Sequence, residues 1–258
     1  KIKWILVTVS IWTLIIWIYK RDFSENPIKK VLGSLLQRGY FFQFWFFGAL
    51  ILIYLCLPIL KKFLKSKKRY LLVLSVLVII GLVVELTNIL LQMPVQVYVI
   101  QTFRLWTWFF YYILGGFLAQ FSLDTLKKCF RSWMKEITVV LLFASPLILF
   151  MLAKYIHHNL FAEYFYDSIF VKVVSLGTFL TVLTFDLNTD KNRWIIYLSN
   201  QTMGVFVIHT YVMKVWEESV GFSFAGAHLF FLIFTLSVSF IVVGILMKIP
   251  YFNRIVKL

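Results

Sequence analysis

Three ionisable side chains lie inside long apolar runs: Glu85 in VLVIIGLVVELTNILL, Arg104 at the head of RLWTWFFYYILGGFLA, and His209 in LSNQTMGVFVIHTYVM. A lone charge in hydrocarbon is costly, so each needs a partner, a water path or a task. Glu85 and Arg104 flank a short uncharged connection, residues 92–102. On consecutive antiparallel helices the Arg fork can reach the carboxylate. Such a pair either fixes helix packing or lines a polar pocket, with Asn88 and Gln101 beside it. His209 lies about 18 Å beyond Tyr197 at helical rise, close to mid-depth. A neutral imidazole there either donates to an oxygen on a neighbouring helix or, in a tunnel, shuttles protons near neutral pH. His157 and His158 stand beside Glu163 at the end of a run; with no third ligand at a useful spacing, they read as interface residues and not as a metal site. Cys56 and Cys129 are too few for a disulfide framework or a thiolate centre.

The elements that must hold these groups are apolar throughout. The 258-residue chain is 61% hydrophobic and 14% charged, with a mean hydropathy of +0.87, unlike a soluble domain. Eight runs reach or approach the ~17–25 residues that a crossing helix needs: 3–19, 41–60, 70–91, 103–121, 137–156, 169–186, 197–216 and 228–247. The seventh is the weakest because Ser199, Asn200, Gln201 and Thr202 open it. The connections are short, and no linker, repeat or low-complexity tract divides the chain. The expected fold is all-α, a polytopic transmembrane helix bundle of about eight spanning helices, forming one domain over residues 1–258.

Charge is spread unevenly. With loops assigned to alternate sides, the side that starts with Lys1 holds 17 of the 26 basic residues and nets +13, against +2 on the other. The excess of Lys and Arg marks the first side as cytoplasmic, with both termini there. The high net charge of +15 is therefore mainly a topology signal. The run KKFLKSKKRY reads as an anchor beside anionic head groups; membrane lipids are the expected partners and nucleic acid is not.

Three stretches, QFWFFGALILIYLCLPIL (43–60), RLWTWFFYYILGGFLA (104–119) and LSNQTMGVFVIHTYVM (198–213), together resemble the acyltransferase 3 family of bacterial membrane acyltransferases. The family pattern has an aromatic entry running to Leu-Pro, then a helix ending Leu-Gly-Tyr, then Ser-x-x-Thr/Ser-x-Gly-x-Tyr-Leu-Ile-His. Order and spacing agree, and a histidine at the place of His209 is usual in the family. Gln43 stands where the family often has His, and Val205-Phe206-Val207 replaces Ile-Tyr-Leu. Members usually carry two further helices ahead of these, with the catalytic histidine in an Arg/Lys-x10-His pattern. Here the residues eleven positions before His157, His158, His209 and His228 are Pro146, Leu147, Leu198 and Glu217, so the pattern is absent. The expectation is a C-terminal part of a larger core, or a degenerate member, without the family's acid/base histidine.

The resemblance implies transfer of an acyl group, most often acetyl, from a cytoplasmic acyl-CoA to a hydroxyl of a cell-envelope polysaccharide or glycolipid. Acyl-CoA would be a substrate, and no bound cofactor is implied. The place would be the bacterial inner membrane. Glu85, Asn88, Gln101, Arg104, Gln43 and Trp45 are the candidate substrate contacts, and His209 is a weak catalytic candidate. The basic segments 61–69 and 127–131 are candidates to draw in the donor's phosphates. Competing readings are a transporter or flippase for a lipid-linked sugar, and an inactive membrane protein that binds a partner; fold alone does not separate them.

Overall fold

The computed structural model describes residues 1–160, 162–185, 192–222 and 226–250, except for the side chains of 162 and 163. Asp186, Asp190, Lys191, Arg254 and Lys257, which contribute to the charge asymmetry between the two sides, lie outside the described residues, as does the Glu163 side chain.

The described residues form ten α-helices and no strand: α1 (Ile2–Tyr19), α2 (Pro27–Leu35), α3 (Trp45–Phe63), α4 (Lys67–Leu91), α5 (Leu105–Leu118), α6 (Leu123–Cys129), α7 (Ser132–Met151), α8 (Ile169–Thr184), α9 (Arg193–Ser219) and α10 (Ala227–Leu246). Eight of them fall on the eight apolar runs, so the all-α polytopic bundle stands. The short helices α2 and α6 fall in segments that hydropathy alone leaves as loops. Local chemistry makes them. The Asn26 side chain accepts from the backbone N–H groups of Ile28 and Lys29, with Pro27 at the first helical position. Ser122 caps α6 in the same way, and Asp124 in its first turn and Lys127 and Lys128 in its last suit the helix dipole.

Among the described residues, five segments are long and apolar enough to cross a membrane: Ile2–Tyr19, Phe42–Phe63, Lys67–Leu91, Ser132–Ile156 and Ala227–Leu246. The remaining three of the eight differ in kind. Helices α5 and α8, of 14 and 16 residues, span only about 21 and 24 Å at helical rise, short of a ~30 Å hydrocarbon core. Helix α9 has 27 residues but a polar entry. Helix α7 contains Pro146, which cannot bond the Leu142 carbonyl one turn back. The Ser145 hydroxyl donates to that carbonyl at 2.7 Å instead, so no backbone acceptor is stranded in lipid. Beyond Met151 the helix widens into a π turn, Leu152–Ile156.

The helices group into two compact units, residues 1–51 with 187–258, and residues 52–186. In the first, α9 packs along α10 and α1 against α2. Its core includes Val9, Phe41, Phe44, Phe47, Val207 and Val243, all fully or almost fully buried. In the second, α4 and α5 meet through Leu74, Leu77, Phe110 and Ile113, and α7 packs on α8. Lipid supplies little hydrophobic drive between helices, so close approach at small residues matters more. A Cβ on Gly177 of α8 would lie 2.6 Å from the Thr138 hydroxyl of α7, which shows how closely these two helices run.

Candidate functional site

The polar residues of the second unit converge at the starts of α5 and α8. Asn88 holds the connection after α4: its Nδ2 donates to Gln96 Oε1 at 3.0 Å, and its Oδ1 accepts from Val95 N at 2.8 Å. Gln96 in turn donates through Nε2 to both carboxylate oxygens of Asp167, at 2.9 and 3.1 Å. The Trp106 indole donates to the same carboxylate at 3.0 Å. Lys172, one turn into α8 and 3% exposed, donates to the Asp167 carbonyl at 2.6 Å and lies over the Phe110 ring. Gly81 of α4 makes room for that ammonium group, since a Cβ there would collide with Lys172 Nζ.

Glu85 and Arg104 do not form the expected pair. Glu85 accepts from the Ser168 hydroxyl at 3.0 Å and from Ile169 N at 3.1 Å, and so closes the N-terminus of α8. Arg104 donates from Nε to the Val99 carbonyl and from NH2 to the Gln96 carbonyl, both at 2.8 Å, and lies over the Tyr164 ring. Among the described residues no ion pair joins the two. The physical reason is that each finds a nearer backbone demand. Unsatisfied N–H groups and the dipole at a helix start favour a carboxylate. The carbonyls of the 3-10 turns Val95–Tyr98 and Gln101–Phe103 favour a guanidinium. Gln101 is also buried here, and its carbonyl accepts from the Trp108 indole at 2.7 Å.

His157, directly after the apolar segment Ser132–Ile156, is buried within the protein. It is 5% exposed, lies 5.2 Å from the Phe165 ring, and its Nδ1 has no hydrogen-bond partner. Burial lowers its pKa, partly offset by Glu85. It lines a cavity of about 10 Å³ with Glu85, Asn88, Asp167 and Ser168, room for about one water molecule.

In the first unit the aromatic entry to α3 meets α9. Gln43 Nε2 donates to the Val207 carbonyl at 2.9 Å and to the Thr210 hydroxyl at 3.0 Å. Phe46 and Phe47 pack edge-on against Phe206 at 5.6 and 5.9 Å, and Trp45 is 7% exposed. His209 is half-buried, and its Nδ1 contacts the carbonyls of Phe206 at 2.8 Å and Val205 at 3.2 Å. It thus turns to its own helix and not to a neighbouring one. A proton on Nδ1 satisfies those carbonyls and leaves the lone pair on Nε2.

A larger cavity, about 600 Å³, opens in the second unit where α3 ends and α4 begins, within the usual range for a small-molecule site. Leu57, Leu60, Lys61, Tyr70, Tyr112 and Gly116 are among its lining residues. A Cβ on Gly115 would meet only open space there. Lys62, Lys65, Lys67, Lys68 and Arg69 come directly after in the chain.

Sequence reasoning did not single out Gln96, Trp106, Asp167 or Lys172. A signal existed: Asp167, Ser168 and Lys172 place an acid, a capping residue and a base at the first turn of an apolar helix.

Helices long and apolar enough to cross a membrane, beside two shorter ones that start at one buried polar cluster, define a multi-pass membrane protein. The model of the acyltransferase 3 family, described as an acyltransferase domain, matches residues 1–247, and the chain belongs to that family. No curated protein and no solved structure matches the chain significantly.

Proposed function

We propose that this membrane acyltransferase transfers an acyl group, most often acetyl, from acyl-CoA on the cytoplasmic side to a hydroxyl of a cell-envelope polysaccharide or glycolipid. The observation that carries the reading, beside family membership, is the cavity between Lys61, Tyr70, Tyr112 and Gly116, set against the basic segment 61–69. Phosphates are drawn to such a mouth, and the apolar and tyrosine walls suit a thioester arm. In the transfer the acceptor oxygen attacks the thioester carbonyl; the C–O bond forms, the C–S bond breaks and the thiol leaves. The hydroxyl proton needs a base, and His209, with its lone pair on Nε2, is the candidate in this chain. Glu85, Asn88, Gln101 and Arg104 support acceptor binding by fixing the shape of the far end of their unit, and Gln43 and Trp45 do the same at the entry to α3. The basic side faces the cytoplasm of a bacterial inner membrane.

Two measurements test this. The protein in lipid nanodiscs should release free thiol from acetyl-CoA when a hydroxylated glycan is supplied. Lys61→Glu and Gly115→Leu, one reversing charge and one filling space, should each weaken acetyl-CoA binding about tenfold, the equivalent of ~1.4 kcal/mol. Unchanged binding in both variants would remove the cavity from the reading. Full specific activity in His209→Gln, whose amide cannot titrate near neutral pH, would end its assignment as base. For orientation, cysteines placed at 66 and 128 should be protected in intact cells, and those at 25 and 219 labelled.

A further inference from the structure

The first unit contains a second cavity, of about 320 Å³, between α9 and α10. Its lining combines exposed apolar side chains, Ile241 and Ile245, with Tyr197, Gln201 and Lys248. Gln201 is 1% exposed, and its Oε1 has no hydrogen-bond partner. An amide oxygen buried without a partner is costly, and an occupant that carries a hydroxyl or N–H would remove the cost. Gly244 keeps the floor open: a Cβ there would come within 3.0 Å of the Tyr197 hydroxyl and 3.8 Å of the Gln201 amide. Lys248 lies one helical turn beyond Gly244, about 6 Å at helical rise, and no carboxylate pairs with it among the described residues.

We propose that this groove binds one molecule of a single-chain anionic glycerophospholipid. The phosphate sits on Lys248, the free glycerol hydroxyl donates to Gln201 Oε1 one turn deeper, and the acyl chain runs out past Ile241 and Ile245. Each part has its reason. Basic pockets between membrane helices recognise anionic head groups. The spacing of about one turn separates a phosphate site from a hydroxyl site, as the glycerol backbone requires. A cavity about half the volume of the one at Lys61 takes one chain more readily than two. The exposed isoleucines give the groove an apolar flank that suits an acyl chain, while Lys248 follows the end of α10, where a head group meets water.

The test uses the purified full chain with three probes: lysophosphatidic acid, with charge and free hydroxyl; phosphatidic acid, with charge and no free hydroxyl; and lysophosphatidylcholine, with the hydroxyl and no net charge. Native mass spectrometry should find one lysophosphatidic acid retained about tenfold more tightly than either other lipid. Lys248→Glu should abolish the advantage over lysophosphatidylcholine, and Gln201→Leu the advantage over phosphatidic acid. Ile241→Trp, which obstructs the opening at an exposed position, should lower retention of all three. Thermal shift in the same samples guards against misfolding: without lipid, Gln201→Leu should melt no lower than the parent. Equal retention of the three lipids, indifference to Lys248→Glu, or displacement by inorganic phosphate or free coenzyme A would overturn the proposal.

Discussion

The ammonium group of Lys172 occupies the space that a side chain on Gly81 would need. From there it donates to the Asp167 carbonyl, and Asp167 is the residue on which Gln96 and Trp106 converge. Gly81 of α4 therefore leaves the space in which this buried contact near the start of α8 is made. A Gly81→Ala change should push Nζ off its acceptor in a buried setting, at a cost of about 1.5–3 kcal/mol. Thermal unfolding in nanodiscs should show the loss, and Gly81→Ala combined with Lys172→Met should recover part of it. An unchanged melting temperature in Gly81→Ala would mean that Lys172 has room elsewhere.

Glu85 acts on α8 and not on Arg104. Glu85→Ala should cost about 1–2 kcal/mol as a lost helix cap, and Glu85→Gln less, because the amide oxygen still accepts one bond. A double-mutant cycle should couple Glu85 with Ser168 by at least about 0.5 kcal/mol. The Glu85 and Arg104 cycle should show the smaller coupling of the two. The reverse order would restore the direct ion pair.

Ser145 repairs the gap that Pro146 leaves in α7. Ser145→Ala should destabilise by about 1 kcal/mol, in the range of polar contacts measured inside membranes. In a Pro146→Ala background the same change should cost little, because the restored N–H then reaches the Leu142 carbonyl. Equal losses in both backgrounds would show that the hydroxyl has another role.

A pH-dependent pair lies outside the spans. Tyr40 donates to the Asp22 carboxylate, and Lys30 lies 3.3 Å from the same group. The Tyr40 hydrogen bond and the charge of Lys30 hold the Asp22 pKa below its ordinary value near 3.8, against a smaller opposing effect of burial. Burial, then the Asp22 bond, raises that of Tyr40 above 10. A depressed carboxylate contributes stability above its ordinary pKa and loses it as pH falls through the folded value. A raised phenol contributes fully below its ordinary pKa and loses that as pH rises through its own folded value. The melting difference between the parent and Tyr40→Phe should therefore be constant from about pH 5 to 9 and shrink at both ends. A difference that stays flat down to pH 2 would exclude the pair as its source.

How much of this was legible depended on the range of each interaction. The crossing helices were, because twenty apolar residues in a row leave few alternatives in a bilayer. The caps at Asn26 and Ser122 had readable local signatures that hydropathy passes over. The partners of Glu85 and Arg104 were not legible. Proximity in sequence placed them on adjacent helices, but the donors that win Glu85 come from Ser168 and Ile169, more than eighty residues away. For His209 the sequence leaves open an acceptor on a neighbouring helix or a tunnel position, while its own preceding turn supplies an acceptor. For the same reason the buried Gln201 passed as part of a polar helix entry.

The π turn at Leu152–Ile156 gives the end of α7 a tolerance to chain length that its composition does not show. A π turn holds one residue more than the α turn it replaces, so removing one residue there would return the turn to α geometry and leave the direction of the next segment nearly unchanged. Ala153, 4% exposed within it, is small enough to lose without leaving a large void. A single-codon deletion at this point would therefore be absorbed inside the turn and leave His157 against Phe165, whereas the same loss within the regular part of α7 would rotate all that follows by about 100°. In pairing this chain with a relative one residue shorter here, a gap placed inside Leu152–Ile156 keeps the polar positions from His157 to Ser168 in register.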